Sequence, residues 1–266
     1  MKRLSVLIAL SLLAVPVPAH ASGGAEFFFP CPFSHRAMDD PIVFPGQPDA
    51  SHSHDFIGNN STDAFSTVDS LIAATTTCRE SKDKSGYWFP TLMRSGSQVT
   101  PVKAQVYYRN PATIATPQTI PFGLKIIQGD KNATSPQPGW TNSDFWSCGN
   151  AGTHYASPPD CPSTTTLMLQ VRFPQCWDGT NLDSADHKSH MAYLVKGVCP
   201  TGHPVLIPQV QLHIQYAIHD GASGAALSLA SGSIYSIHAD FFNAWDKDRL
   251  ASLITTCIAT GISCHL

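Results

Sequence analysis

The sequence predicts a mainly β protein, a single-domain β-sandwich or jelly-roll-like core with long disulfide-stapled loops and a C-terminal helix. Three observations support this fold class. Short segments with alternating apolar residues are separated by turn residues, the chain contains 21 prolines and 18 glycines, and all eight cysteines lie beyond residue 30. Proline and glycine interrupt helices and long strands, so this composition suits short strands joined by loops better than a helical bundle.

The first 21 residues have the pattern of a secretory signal peptide. A basic start is followed by an apolar run over residues 4–15, and small residues occupy positions 19 and 21. Such a run is too short to span a bilayer comfortably, and small residues suit the peptidase. We therefore predict a signal peptide over residues 1–21 and a single secreted domain over residues 22–266, extracellular or wall-associated. In the less favoured alternative, a cut after Ala19 exposes His20 as an amino-terminal ligand, as in copper monooxygenases.

The predicted secreted domain contains all eight cysteines. An even number of cysteines in an exported chain usually forms disulfides. No Cys-x-x-Cys pair occurs, which disfavours a zinc ribbon or a thioredoxin-type redox site. Among the roughly 105 pairings that eight cysteines allow, the sequence favours Cys148 with Cys161 and Cys257 with Cys264.

The low charge of the chain limits its partners. The net charge is −3, and loss of Lys2 and Arg3 with the signal peptide changes it to −5. Only 13% of residues are charged, and no basic run is present, so nucleic acid and anionic lipid are not expected partners. No second apolar stretch approaches the roughly 20 residues of a membrane span. Only Glu26 and Glu80 are glutamates, so any carboxylate chemistry must depend on aspartates.

The clearest predicted strand covers residues 210–218. Apolar residues alternate with Gln211, His213, Gln215 and Ala217, which indicates a half-buried strand whose inner side carries Val210, Leu212, Ile214, Tyr216 and Ile218. Shorter strands are predicted at 102–108, 122–127, 167–171 and 191–195. One helix is predicted near the C-terminus from the spacing of Leu250, Leu253, Ile254, Cys257 and Ile258, with Asn243 or Asp246 as its N-cap and Gly261 after its end.

A long loop is predicted between residues 128 and 165, where prolines and glycines are frequent. The predicted Cys148–Cys161 disulfide would restrain this loop, which also carries Trp140, Phe145, Trp146 and Tyr155. Exposed rings there could stack on the apolar faces of sugars. In the alternative interpretation, the rings fill a small core beneath the loop.

Three segments pair histidine with aspartate. If residues after Leu182 form a helical turn, Asp183, Asp186, His187 and His190 share one face. In extended chain, His52 and His54 share a side, as do His238 and Asp240. We predict that His54, Asp183, Asp186, His187, His190, His238 and Asp240 converge on one solvent-reachable pocket.

Such a pocket could supply an acid and a base, or could bind a divalent metal ion as a cofactor. The metal interpretation selects ligands from His54, His187, His190, His238 and Asp186. In the alternative interpretation these residues form structural hydrogen bonds in turns. The chain contains no nucleophile elbow, His-Glu-x-x-His motif, phosphate loop or dinucleotide fingerprint.

Several motifs spread over most of the chain resemble one known family. They include Asp40-Pro41-Ile42-Val43, Ser51-His52-Ser53-His54, Gly86-Tyr87-Trp88-Phe89-Pro90, Cys199-Pro200 and His238-Ala239-Asp240-Phe241. The most specific is the run that begins Phe173-Pro174-Gln175-Cys176-Trp177-Asp178-Gly179 and continues to Tyr193. Together these residues resemble the secreted domain-of-unknown-function family nineteen-ninety-six, which is common in fungi and some bacteria.

The resemblance implies a polysaccharide context but no settled reaction, because fungal relatives are often joined to modules associated with cell-wall glycans. This chain has Ser231-Gly232-Ser233 where the family usually has Gly-Asp, and Ala244 where it usually has Gly. The first departure implies that one acidic partner of the pocket is missing.

We expect a secreted carbohydrate-active protein with a His/Asp pocket, a glycosidase or lyase whose partner is a polysaccharide or other neutral glycan. The alternative is a non-catalytic extracellular protein that binds a glycan or a metal ion, with a structural His/Asp network.

Overall fold

The computed structural model describes residues 25–111, 115–150, 152–224 and 226–266. The predicted signal peptide and its cleavage position lie outside these residues. The first strands are β1 (Glu26–Pro30), β2 (Phe33–Ala37), β3 (His54–Gly58), β4 (Gly86–Pro90), β5 (Leu92–Arg94), β6 (Ser97–Val99), β7 (Lys103–Arg109) and β8 (Lys125–Gly129). The later strands are β9 (Asp144–Cys148), β10 (Leu167–Arg172), β11 (Cys176–Trp177), β12 (Met191–Ala192), β13 (Val205–Leu206), β14 (Gln209–Tyr216), β15 (Leu227–Leu229), β16 (His238–Phe242) and β17 (Ser263–His265).

Two large sheets form the body of the protein. One has the order β17-β1-β7-β14-β10-β9 and the other has the order β2-β3-β4-β16-β8. Neighbouring strands are antiparallel except for the parallel pair β1 and β17. Two small sheets, β12-β11-β13 and β15-β5-β6, extend this framework.

The main core lies between the two large sheets and is rich in aromatic side chains. Tyr87 of β4 and Tyr108 of β7 share a hydrogen bond of 2.5 Å across the core, and the Trp245 indole N–H donates to the Tyr108 hydroxyl at 2.7 Å. These buried polar atoms are thereby satisfied. The predicted β-sandwich is confirmed.

The predicted strand at 210–218 is present as β14, and Val210, Leu212, Ile214 and Tyr216 are buried as expected. The expectation of a half-buried strand was wrong, because Gln211 and His213 are only 3% and 5% exposed. β14 is a central strand between β7 and β10. Its polar side chains therefore pack among neighbours, as when the His213 ring lies 4.2 Å from the Tyr107 ring.

The shorter predicted strands correspond to β7, β8, β10 and β12, although β8 begins at Lys125. The prediction for residues 191–195 was too long, because β12 ends at Ala192. Val195 and Val198 then exchange backbone hydrogen bonds in a tight turn, which reverses the chain.

The helices are short: α1 (Val68–Ala73), α2 (Trp140–Ser143) and α3 (Lys247–Leu253), the last continuing as a π-helical turn over Ile254–Ile258. Asp246 is the N-cap of α3, since its carboxylate accepts from the Arg249 backbone N–H. Gly261 follows the end with a positive φ of 76°. The predicted C-terminal helix is confirmed, and none of the helices among the described residues is long and apolar enough to cross a membrane.

Four disulfides restrain the chain, and none of the eight cysteines is free. The pairs are Cys31–Cys78, Cys148–Cys161, Cys176–Cys199 and Cys257–Cys264. Both favoured pairings are confirmed. Within the long loop region, Phe145 and Trp146 are fully buried and Tyr155 is 40% exposed. Phe145 and Trp146 therefore fill the interior, as in the alternative interpretation, and cannot stack on sugars.

Candidate functional site

A cavity of about 320 Å³ opens where four separate segments meet, residues 40–52, 127–132, 186–188 and 238–240. Its acidic side chains are Asp40, Asp130, Asp186 and Asp240, and its basic or imidazole side chains are His52, Lys131, His187, Lys188 and His238. Apolar and small or neutral residues complete it: Val43, Phe44, Ala50, Ser51, Ile127, Gly129 and Asn132.

The five-stranded sheet positions the histidines of this region. β3 and β16 both pair with β4, and Trp88 of β4 lies opposite both Phe56 and Asp240. His54 lies two residues before Phe56, and His238 lies two residues before Asp240. Because residues two apart on a strand share a face, the sheet brings these histidines to the same side.

His52, His54 and His238 form a compact group, which we call the imidazole cluster. Nε2 of His238 lies 3.0 Å from Nε2 of His52 and 3.4 Å from Nε2 of His54. Nδ1 of His54 donates to the Asp39 carbonyl at 3.1 Å, and Nδ1 of His238 donates to the Ser236 carbonyl at 2.8 Å. A carbonyl can only accept, so both Nδ1 atoms carry the proton.

Burial keeps the imidazole cluster neutral. Desolvation lowers the pKa of His238 to about 3 and, together with the charge of Lys131, lowers the pKa of His52 to about 4. The pKa of His54 lies well below its usual value because the ring is fully buried and faces the other two histidines. At neutral pH, Nε2 of His54 and Nε2 of His238 therefore present lone pairs.

Two carboxyl groups adjoin the imidazole cluster. Candidate ligand atoms of Asp40, His54 and Asp240 lie within 4.8 Å of one another. Asp40 Oδ1 accepts from the backbone N–H groups of Ile42 and Val43, at 2.9 and 3.0 Å. Asp240 is 1% exposed, and its Oδ2 has no hydrogen-bond partner in the described part of the chain. Burial, reinforced by the charge of Asp40, raises the pKa of Asp240 well above its usual value.

The helical turn after Leu182, on which the shared face of Asp183, Asp186, His187 and His190 depended, does not form. Residues 183–190, which we call the Asp186 turn, form successive non-helical turns. Asp186 Oδ1 accepts from the Ser184 hydroxyl and from the backbone N–H groups of Lys188 and Ser189. The carboxylate therefore replaces a helical carbonyl as acceptor, and these bonds lower its pKa. His187 has a φ of 58°, outside the right-handed helical region.

Two members of the Asp186 turn hold other residues in place. Asp183 Oδ1 accepts from His187 Nδ1 at 2.9 Å. His190 is 1% exposed; its Nδ1 bonds the Ser184 hydroxyl at 2.8 Å, and its Nε2 donates to the Lys125 carbonyl at 2.7 Å. Both nitrogens of His190 are therefore used within the fold.

The seven predicted site residues divide into three sets. Four of them, Asp186, His187, His238 and Asp240, line the cavity. His54 lies behind it and contacts His238, whereas Asp183 and His190 are not in the lining. Of the five candidate metal ligands, His54 and His238 belong to the imidazole cluster, whereas Asp186, His187 and His190 do not.

The prediction did not include two residues that the structure brings to this site, Asp40 and His52. His52 could have been selected from its two-residue spacing to His54. Asp40 gives no such signal, because a loop that is distant in sequence from β16 places it beside Asp240. The functional role of all these residues stays a prediction.

The model of a protein family described as Domain of unknown function (DUF1996) matches residues 40–245. The chain belongs to this family. The matched region of this DUF1996 protein contains the imidazole cluster, Asp40, Asp240 and the Asp186 turn. No curated protein and no solved structure matches the chain.

Proposed function

We propose that this DUF1996 protein is a secreted, carbohydrate-active protein that binds one unit of a cell-wall or other extracellular polysaccharide in the cavity. The observation that carries the proposal is the composition of the lining, which combines the apolar side chains of Val43, Phe44 and Ile127 with carboxylate, amide, ammonium and imidazole groups. A sugar ring has an apolar face and a rim of hydroxyl groups. The apolar side chains of this lining can contact the apolar face of the ring, and its polar side chains can bond the hydroxyl groups.

The volume supports a small ligand or a single unit of a chain. Pockets for small molecules occupy about 300–1,000 Å³, and this cavity of about 320 Å³ lies at the lower end. Predicted export and four disulfides agree with an extracellular polysaccharide as the partner.

We further propose that the protein cleaves its ligand, as a glycosidase or a lyase. A glycosidase needs two carboxyl groups on either side of the scissile bond. Asp186 and Asp240 come from different segments and line the same cavity, so they are the pair to which we assign this role. Hydrolysis adds water across the glycosidic bond, whereas a lyase breaks it by elimination and leaves a double bond in the product.

A non-catalytic glycan-binding protein is the second candidate. The hydrogen bonds that converge on Asp186 Oδ1 favour it, because they show that this carboxylate already stabilises a turn. In that case the same cavity binds the glycan without cleaving it.

Incubation of the purified secreted protein with neutral and uronate-containing wall polysaccharides tests both candidates. Binding is measured by co-sedimentation, hydrolysis by new reducing ends, and elimination by the absorbance of unsaturated products. We expect Asp240→Asn and Asp186→Asn to abolish product formation, whereas Asp248→Asn, an exposed change of the same charge in α3, retains it. Binding without products selects the second candidate, and no binding to any polysaccharide contradicts both.

A further inference from the structure

We propose that His52, His54 and His238 bind a divalent transition-metal ion, with Asp240 as the adjacent oxygen ligand. This inference goes beyond glycan binding and does not depend on it. The ligand chemistry is three neutral imidazoles and one carboxylate, a set typical of zinc and related borderline metals.

The separations of the nitrogens fit a coordination polyhedron. Zinc binds imidazole nitrogen at about 2.0–2.1 Å, which places the nitrogens of a tetrahedral site about 3.3 Å apart. Nε2 of His238 lies 3.0 Å from Nε2 of His52 and 3.4 Å from Nε2 of His54. Ligand atoms of all three residues lie within 4.8 Å of one another, so small side-chain movements suffice to surround one ion.

The backbone fixes two of the three imidazoles, those of His54 and His238, in the form that a metal requires. Metal-bound histidines usually donate their other ring N–H to a carbonyl or a carboxylate, which fixes the tautomer. The Asp39 and Ser236 carbonyls accept these bonds from His54 and His238. The two Nε2 lone pairs consequently oppose each other at 3.4 Å without a proton to share. A cation between them converts this repulsion into two coordinate bonds.

The carboxyl group of Asp240 supplies a second, independent observation. Its Oδ2 is buried and has no hydrogen-bond partner in the described residues, and a buried polar atom in that state is costly. Ligand atoms of Asp240 and His54 lie within 4.8 Å of each other. These two residues and Asp40 form a second group of possible ligands, which shares His54 with the imidazole cluster. A movement of the Asp240 side chain toward an ion bound by the imidazoles would satisfy this oxygen.

The ion has a route to the site. His52 is half-buried and lines the cavity together with His238 and Asp240, whereas His54 lies behind them. A metal ion can therefore enter from the cavity.

Titration of the chelator-treated, full-length secreted protein with Zn²⁺ and Co²⁺, without any glycan, tests the site. We expect one ion per chain by calorimetry, visible Co²⁺ bands of a nitrogen-rich tetrahedral site, and a higher melting temperature on Zn²⁺ addition. His52→Gln should weaken binding at least about 100-fold and Asp240→Asn about 10-fold or more. The exposed histidine variant His219→Gln and the buried variant His190→Gln serve as controls that keep wild-type affinity.

Two results would overturn the proposal. One is the absence of saturable metal binding by the wild-type protein, and the other is wild-type metal affinity in both His52→Gln and Asp240→Asn. Circular dichroism of each metal-free variant establishes that it is folded, and if His52→Gln does not fold, Asp240→Asn and the Co²⁺ spectrum decide. Glycan binding is measured separately on metal-free protein. If the protein binds metal but no glycan, only the glycan proposal is contradicted. If it binds glycan but no metal, only the metal site is contradicted.

Discussion

The imidazole cluster and the Asp186 turn both pair histidine with carboxylate, yet they use these side chains differently. In the cluster, segments separated by most of the chain bring the Nε2 atoms of His52 and His54 to that of His238. In the turn, Asp186 and His190 direct their polar atoms to neighbours and to the backbone. Side chains whose donors and acceptors are satisfied within the fold contribute to stability, whereas those that remain unsatisfied are available for a ligand.

The strand beside His238 gives the largest expected effect. Gly129 has a φ of 88°, and a Cβ added there would lie 2.1 Å from the Ile237 carbonyl oxygen and 2.7 Å from the His238 Cα. These are backbone atoms that cannot move independently of β16. Gly129→Ala should therefore lower the free energy of unfolding by about 3 kcal/mol or more and weaken Zn²⁺ binding.

Gly96→Ala is the matched control, because its φ is 80° and nothing lies within 4 Å of an added Cβ. It should cost only about 1 kcal/mol, from the backbone conformation alone. Urea unfolding of both metal-free variants measures the difference. Equal losses of unfolding free energy in Gly129→Ala and Gly96→Ala would show that the clash with His238 does not destabilise the fold.

Removal of the Cys176–Cys199 disulfide should affect the Asp186 turn and spare the imidazole cluster. This disulfide closes a segment of 23 residues that contains the turn. The double variant Cys176→Ser/Cys199→Ser should lose about 2–4 kcal/mol of stability. Because the cluster lies on other segments, its Zn²⁺ affinity should stay within about threefold of wild type. A large loss of affinity would show that the two regions are not separate.

His190→Ala separates stability from binding at a single residue. The change removes the bonds from His190 to the Lys125 carbonyl and to the Ser184 hydroxyl, which keeps its bond to Asp186. The loss of such a bond costs about 1–3 kcal/mol when a buried group is left unsatisfied. We expect a lower melting temperature with unchanged Zn²⁺ affinity. If affinity falls as it does in His52→Gln, His190 belongs to the metal site after all.

The smallest expected effect is a pH dependence at Asp186. Hydrogen bonds hold the pKa of this carboxylate below its usual value, so its ionised form stabilises the fold above about pH 4, and the stabilisation is lost as pH falls further. Asp186→Asn should thus melt below wild type at pH 6 and approach it near pH 3. Thermal melts of metal-free protein at both values check this sign, and a gap that widens in acid would refute it.

Local patterns in the sequence predicted most of the framework. Alternation located β14, helical spacing and Asp246 located α3, and short separations identified two disulfides. The same logic was misleading for residues 183–190. The i, i+3, i+4, i+7 spacing also suits a turn in which an aspartate side chain replaces the helical acceptors.

The site itself was only partly predictable. Residues on one strand, such as His238 and Asp240, could be paired from their spacing alone. The approach of Asp40 to Asp240 depends on how a loop folds over the sheet, and local periodicity carries no information about that distance. The burial of Gln211 and His213 was likewise invisible, because alternation reports the apolar side of a strand and not what covers the polar side.

His52 and His238 belong both to the imidazole cluster and to the lining of the cavity. If the proposed metal ion and a cavity ligand both bind here, thermodynamic linkage makes their effects on each other's affinity equal. If a ligand binds in the cavity of the metal-loaded protein more tightly than in that of the metal-free protein, the metal ion must bind the ligand-bound protein more tightly by the same factor. One shared wall is sufficient for this coupling, and no movement of distant parts of the molecule is needed.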